Sequence, residues 1–191
     1  SEVGPSLKSL GLVHPLIVTD KVMVLLAYIE RLQKALVASE IIADVFDDTV
    51  PEPTVASIEA GVKQVRNGNY DCVIALGGGS PIDSAKAIAI LGKYGGEMRD
   101  YKFPRIVDEP GLPLIAIPTT AGTGSEVTRV TIISDEITDE KMMCLGIGFM
   151  PTVALVDYEL SISVPARTTA DTGIDAMTHA IEAYVSKKAS A

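Results

Sequence analysis

Three stretches hold residue types and spacings that could do chemistry: Gly77-Gly78-Gly79-Ser80, Thr119-Thr120-Ala121-Gly122-Thr123-Gly124-Ser125-Glu126, and Asp175 with His179. The glycine run follows a continuous apolar segment and precedes a helix-forming one. Glycines let a backbone approach a pyrophosphate closely, and the amides and dipole at the start of a helix favour its negative charge. Gly78, Gly79 and Ser80 are therefore candidates for a phosphate cradle. Ser80 as N-cap, Pro81 in the first helical position and Asp83 as the far end of a capping box would specify that helix start. A tight turn also needs glycine for steric reasons alone. The run departs from the Gly-x-Gly-x-x-Gly spacing of an ordinary dinucleotide fingerprint. In the second stretch, the hydroxyls of Thr119, Thr120 and Thr123 suit phosphate or ribose oxygens, and Gly122 and Gly124 permit close approach. A solvated loop with local Ser/Thr turns is the alternative.

Asp20 closes a β-branched apolar run, where a carboxylate can accept hydrogen bonds from a ribose 2′-hydroxyl and repel a 2′-phosphate. It is equally placed to cap the following helix, and the two roles are compatible. Asp175 and His179, four apart in a helical pattern, fall on one face within reach of a common ion. Spacing alone favours a plain helix-stabilising hydrogen bond between them. His14, the only other histidine, lies at the far end of the sequence and reads as a surface residue.

These residues need a scaffold, and the pattern supplies one. Residues 15–19 read as a strand feeding a helix over 20–37; 41–46 read as a second strand, followed after Pro51-Glu52-Pro53 by a helix from Thr54 to the Asn67-Gly68 stop. Residues 72–76 and a helix over 81–91 repeat the alternation. Three βα units in succession imply a parallel sheet covered on both faces. A fourth strand over 114–117 runs into the threonine-rich loop, 130–133 and 142–145 suggest a hairpin, and 152–156 a last strand ending at Asp157. After Val164-Pro165 the pattern is helical from 167 to 186, which places a domain boundary between 1–163 and 164–191.

Composition narrows the function. A net charge of −9 offers no basic surface for nucleic acid, and no Lys/Arg-rich helix suits an anionic membrane. No apolar run approaches bilayer-spanning length, and the first residues lack the charged and apolar regions of a signal peptide. Cys72 and Cys144 each sit in an apolar stretch, as two buried thiols in a reducing, cytoplasmic setting would.

Three motifs, Leu76-Gly77-Gly78-Gly79-Ser80-Pro81-Ile82-Asp83-Ser84-Ala85-Lys86, Ile117-Pro118-Thr119-Thr120-Ala121-Gly122-Thr123-Gly124-Ser125-Glu126 and Asp171-Thr172-Gly173-Ile174-Asp175-Ala176-Met177-Thr178-His179-Ala180-Ile181-Glu182-Ala183-Tyr184, resemble in order and spacing the iron-containing (group III) alcohol dehydrogenases. The resemblance covers the chain from about Leu12. It implies a Rossmann-like α/β domain followed by the start of an all-helical, metal-binding domain, acting as a homodimer on small alcohols, diols or aldehydes with NAD and Fe²⁺, or Zn²⁺ in its place. By position, Gly78, Gly79 and Ser80 would take the pyrophosphate, Thr119, Thr120 and Thr123 would line the cofactor site, Asp20 would read the adenine ribose and Lys141 would reach the nicotinamide ribose. Asp175 and His179 match two metal ligands, which reverses the preference for a plain hydrogen bond. Two further histidines complete that site in the family, and the sequence given stops at Ala191 before them. Glu52 stands where many relatives carry Asn near the cofactor, and relatives usually have an additional strand ahead of Leu12. No catalytic acid or base is assigned. The rival readings are a non-catalytic dinucleotide-binding module and a metal-free relative such as a maleylacetate reductase; retention of both Asp175 and His179 counts against the latter.

Overall fold

The computed structural model describes residues 2–189. Five parallel strands form the central sheet in the order β2-β1-β3-β4-β7: β1 Pro15–Val18, β2 Asp44–Phe46, β3 Cys72–Gly77, β4 Leu114–Pro118 and β7 Val153–Ala154. All six residues of β3 are buried, as a strand covered on both faces requires. The alternation of side chains sorts the core into two halves. Leu16, Val18, Val73, Ala75, Leu114 and Ala116 face the helices α4 (Val55–Gly68) and α5 (Gly79–Tyr94). Ile17, Cys72, Ile74, Leu76, Ile115 and Ile117 face α1 (Val3–Ser9) and α3 (Tyr28–Val37).

The segment expected as one helix over 20–37 is two, α2 (Lys21–Leu25) and α3, separated at Ala27 in the left-handed region, φ 59°. Met23 and Ile29 both enter the same core cluster. Six positions apart, they would point about 240° from one another on an unbroken helix. The break satisfies both. Val22 and Val24, poor helix formers, weaken α2 in the same place. Helix α1 carried no periodic signal strong enough to expect it. Thr54 caps α4 as expected, in a reciprocal box with Ser57, and the left-handed residue that ends the helix is Asn69.

The expected hairpin is β5 (Val130–Asp135) against β6 (Glu140–Leu145), an antiparallel sheet of its own. Its inner residues Ile133, Met142 and Cys144 join the core beneath α5. Helix α6 (Ala166–Val185) closes the described chain and buries none of its side chains. Among the described residues, no helix is long and apolar enough to cross a membrane.

Candidate functional site

The carboxyl ends of β1, β3 and β4 are tied together by short polar links. Thr19 donates its hydroxyl to the Leu76 carbonyl at 2.8 Å, Thr49 donates its hydroxyl to the Thr19 carbonyl at 2.8 Å, and the Thr119 amide donates to the Gly77 carbonyl at 2.9 Å. Thr19 and Thr119 are buried. The three strand ends thus present Asp20, the glycine run and the threonine loop side by side, at the edge where open α/β sheets bind ligands. Between them lies a groove of about 640 Å³ lined by Asp20, Gly78, Gly79, Ser80, Thr119 and Thr120, together with Pro165, which caps α6, and Thr168 in its first turn. A volume of that size falls in the range of small-molecule and cofactor sites.

The start of α5 differs from the expected one. Gly78 in extended conformation is the N-cap, so Gly79 and Ser80 are already helical, and no side chain caps the helix. Ser80 is therefore not the cap, and Asp83 does not complete a box. The physical cause is Gly77, whose φ of 149° turns the chain out of β3; a Cβ there would stand 2.6 Å from Pro81 Cγ, so only glycine allows this turn. Pro81 sits in the first turn, where its missing N–H is not needed. With no side chain capping it, the helix start offers its amides and positive dipole end to the groove. The two glycines also let the loops meet: an ideal Cβ on Gly78 would lie 3.3 Å from Thr120 Oγ1, and one on Gly79 3.1 Å from Thr123 Cγ2. These features fit a pyrophosphate.

Asp20 caps α2 as expected, its Oδ1 accepting from the Met23 amide at 3.0 Å, and it also lines the groove. Thr123 lies beside Gly79, and its Oγ1 accepts from the Ser125 amide at 3.3 Å. Lys141 is not brought to the groove lining; it is exposed on β6 and paired with Glu52 at 3.3 Å. Glu52 is held in the left-handed region, φ 54°, and the next residue, Pro53, accepts the Ser134 amide of β5 at 2.7 Å. The residue that departs from the family pattern is thus the one that holds Lys141.

Asp175 Oδ1 and His179 Nε2 are 3.7 Å apart on α6, 44% and 55% exposed. That separation is too long for a good hydrogen bond. Among the described residues, no group of three or more His, Cys, Asp or Glu could hold a metal ion. Two donors do not make a complete metal site, so the donor set does not fit a bound ion by itself. His14 is exposed, as expected, and lies against Tyr70 with ring centroids 4.8 Å apart. Cys72 and Cys144 are buried and unpaired; burial pushes both thiols up, Cys144 to about 12, so neither is a nucleophile.

Two features escaped the sequence reading. Gly122, φ 156°, lets the threonine loop press against Thr172, one turn before Asp175, where any Cβ would strike the Thr172 backbone. Its place in a glycine-containing loop signalled close approach but not to what. Lys86, inside the first motif, is the largest fully buried side chain of the described residues. Its position among alanines and isoleucines was the available signal. A second hollow of about 530 Å³, under β7 beside α3, contains none of the expected site residues.

The family model described as iron-containing alcohol dehydrogenase matches residues 1–158, so the likeness begins ahead of Leu12. Long-chain-alcohol dehydrogenase 1 of Geobacillus thermodenitrificans is 43% identical over 192 residues, covering 99% of this chain and 48% of its own. NAD-dependent methanol dehydrogenase of Bacillus methanolicus is 40% identical over 188 residues, covering 98% and 49%. Among solved structures, sulfoacetaldehyde reductase from Bifidobacterium kashiwanohense in complex with NAD⁺ superposes with a TM-score of 0.91 at 37% identity, covering 97% of this chain and 49% of that one. A 1,3-propanediol oxidoreductase gives a TM-score of 0.94 at 35% identity, covering 99% and 50%. The chain spans about half the length of the relatives it matches.

Proposed function

Because the chain belongs to the iron-containing alcohol dehydrogenase family, we propose that it is the nucleotide-binding part of an NAD(H)-linked enzyme interconverting small alcohols or diols with aldehydes or ketones. The observation that carries this reading is the groove between the uncapped start of α5 and the Asp20 carboxylate. Relatives of the chain support it: one is an NAD-dependent methanol dehydrogenase and another was solved with NAD⁺.

A nicotinamide cofactor bound there supplies the hydride acceptor or donor. The chain's own residues do the binding. The amides of Gly79 and Ser80 and the dipole of α5 hold the pyrophosphate, Gly78 lets it approach, and Thr119 and Thr120 offer hydroxyls. Thr123 backs the glycines. Asp20 accepts from the adenine ribose hydroxyls and repels a 2′-phosphate. Lys141 serves the nicotinamide ribose only after exchanging its Glu52 partner. Asp175 and His179 would supply two ligands toward Fe²⁺ or Zn²⁺, and the remaining ligands are not among the described residues. We read 1–163 as the nucleotide domain and 164–191 as the opening of a helical one, and the whole protein as a cytoplasmic homodimer. The incomplete metal pair favours a second statement about this chain alone: it binds the dinucleotide without turnover.

The test is calorimetric titration of the chain with NAD⁺, NADP⁺ and ADP-ribose. We expect NAD⁺ and ADP-ribose to bind comparably, and NADP⁺ at least about ten-fold more weakly. Absence of NAD⁺ binding to a folded chain would overturn the groove assignment.

A further inference from the structure

Lys86 and Asp83 stand in the first two turns of α5, just behind the phosphate cradle, and beyond Ser125 and Glu126 at the end of the threonine loop they bond to the short stretch 128–132. Lys86 Nζ donates to the Val130 carbonyl at 2.7 Å and to Thr128 Oγ1 at 3.1 Å, and lies 3.7 Å from Asp83 Oδ1. The Asp83 carbonyl accepts the Thr131 hydroxyl at 2.9 Å, and its Oδ2 accepts the Ile132 amide at 3.4 Å. Residues 128–132 open β5 and directly follow the threonine loop. One end of that loop is fixed by β4 in the central sheet; at the other, this pair bonds the start of β5 to α5, while the Ser134–Pro53 bond and the core contacts of Ile133, Met142 and Cys144 hold the rest of the hairpin.

We propose that Asp83 and Lys86 are positioning residues that hold the threonine loop and the β5–β6 hairpin in register with the phosphate-binding start of α5. The inference rests on the cofactor reading above. Stability alone gives no reason for the pair. Lys86 is 1% exposed, and burying an ammonium beside a carboxylate costs solvation that their attraction only partly returns. Burial pushes Lys86 down to about 8 against the opposing pull of Asp83 and Glu126, and pushes Asp83 up. Asp83 Oδ1 and Ser84 Oγ are buried without a hydrogen-bond partner. An apolar side chain would fill the space of Lys86 at less cost, but could not reach the Val130 carbonyl and the Thr128 hydroxyl together. The pair therefore selects one alignment of hairpin on helix, the attested use of buried ionic groups. With that alignment come the contact of Thr123 with Gly79 and the placement of Lys141.

The experiment compares the parent chain with Lys86→Met, the double variant Asp83→Asn/Lys86→Met, and Thr128→Val, reading NAD⁺ affinity by calorimetry, thermal stability, and amide hydrogen exchange. The single lysine variant leaves a buried carboxylate without its cation and should lose stability. The double variant removes both charges and should recover it, yet NAD⁺ should stay about ten-fold weaker or more, with faster exchange confined to 128–132. NAD⁺ affinity returning together with stability in the double variant overturns the proposal, because a merely structural pair behaves that way. Should the lysine variants not fold, Thr128→Val decides: weakened NAD⁺ binding on an unchanged melting temperature supports the clamp, and unchanged affinity overturns it. If the folded parent binds no NAD⁺, the cofactor reading fails first; the clamp is then judged by exchange, confined acceleration upholding it and uniform acceleration overturning it.

Discussion

At Asp20 one carboxylate has two tasks, and they can be separated. Asparagine caps helices about as well as aspartate but carries no charge. Asp20→Asn should keep the melting temperature within a degree or two of the parent and narrow the gap between NAD⁺ and NADP⁺ affinity several-fold; Asp20→Gly should narrow it too, at a small cost in stability. Equal discrimination before and after Asp20→Asn, measured by titration with both cofactors, would leave only the cap. Lys86 makes a pH prediction whose sign follows from its depressed folded-state value of about 8 against the ordinary 10.5. Between those two values the unfolded chain holds the proton more often than the folded one, so this site adds stability as pH rises through that window. Below it the burial penalty is fully present. Relative to Lys86→Met, the parent should therefore gain on the order of 2–3 kcal/mol in urea unfolding between pH 7.5 and 10. The charged neighbours that modulate the window are Asp83 on the same helix and Glu126 in the turn before β5. A difference between parent and variant that stays constant with pH would mean that Lys86 is not held as a buried cation.

At the scale of elements, the meeting of the glycine turn with the threonine loop sets the site. An ideal Cβ on Gly79 would face Thr123 Cγ2 at 3.1 Å rather than open space. Gly79→Val should then act through the loop, driving Thr123 away and spoiling both walls of the groove. We expect NAD⁺ affinity to fall at least about ten-fold, and stability to fall by about 1–3 kcal/mol from overpacking, with the circular dichroism of the parent retained. Native affinity in a folded Gly79→Val chain would show that the two loops do not form one site. Strands β1, β3 and β4 and the hairpin were legible because their apolar runs are long and bounded by turn residues. So were Asp20, Gly78–Ser80, Thr119 and Thr120, because strand ends in an alternating β/α chain converge on one edge. What was not legible depended on tertiary fit. Ser80 is a better cap than glycine by local preference, yet the Gly77 turn starts α5 ahead of it. The break at Ala27 answers to Met23 and Ile29 sharing a core, and no local pattern encodes that. Lys141 was placed by likeness alone; its pairing with Glu52 follows from how the Pro53 loop is bonded to β5, which lies some eighty residues away in sequence.

For the whole molecule, the two sites differ in completeness. The nucleotide groove draws on β1, β3, β4 and the start of α6, elements that pack on a common core or touch it through Gly122. The metal pair rests on α6 alone, a helix with no buried side chain, on which Ile174, Met177 and Ile181 are 60%, 56% and 55% exposed. These three recur at helical spacing and form a stripe over two turns that include Asp175 and His179. An apolar stripe in water invites association, and two donors leave an ion mostly hydrated, whereas stable protein sites supply three or four. We therefore expect the 191-residue chain to bind Fe²⁺ or Zn²⁺ no tighter than the high micromolar range, as an isolated pair would, and to show no turnover with a short diol and NAD⁺. Sedimentation should show concentration-dependent self-association that Met177→Lys relieves while leaving NAD⁺ affinity unchanged, since Met177 lies outside the groove. Anaerobic calorimetry checks the metal. Tight stoichiometric binding lost in His179→Ala would mean that α6 recruits further ligands, from a second copy or from the rest of its own chain, and that the pair is already a site rather than part of one.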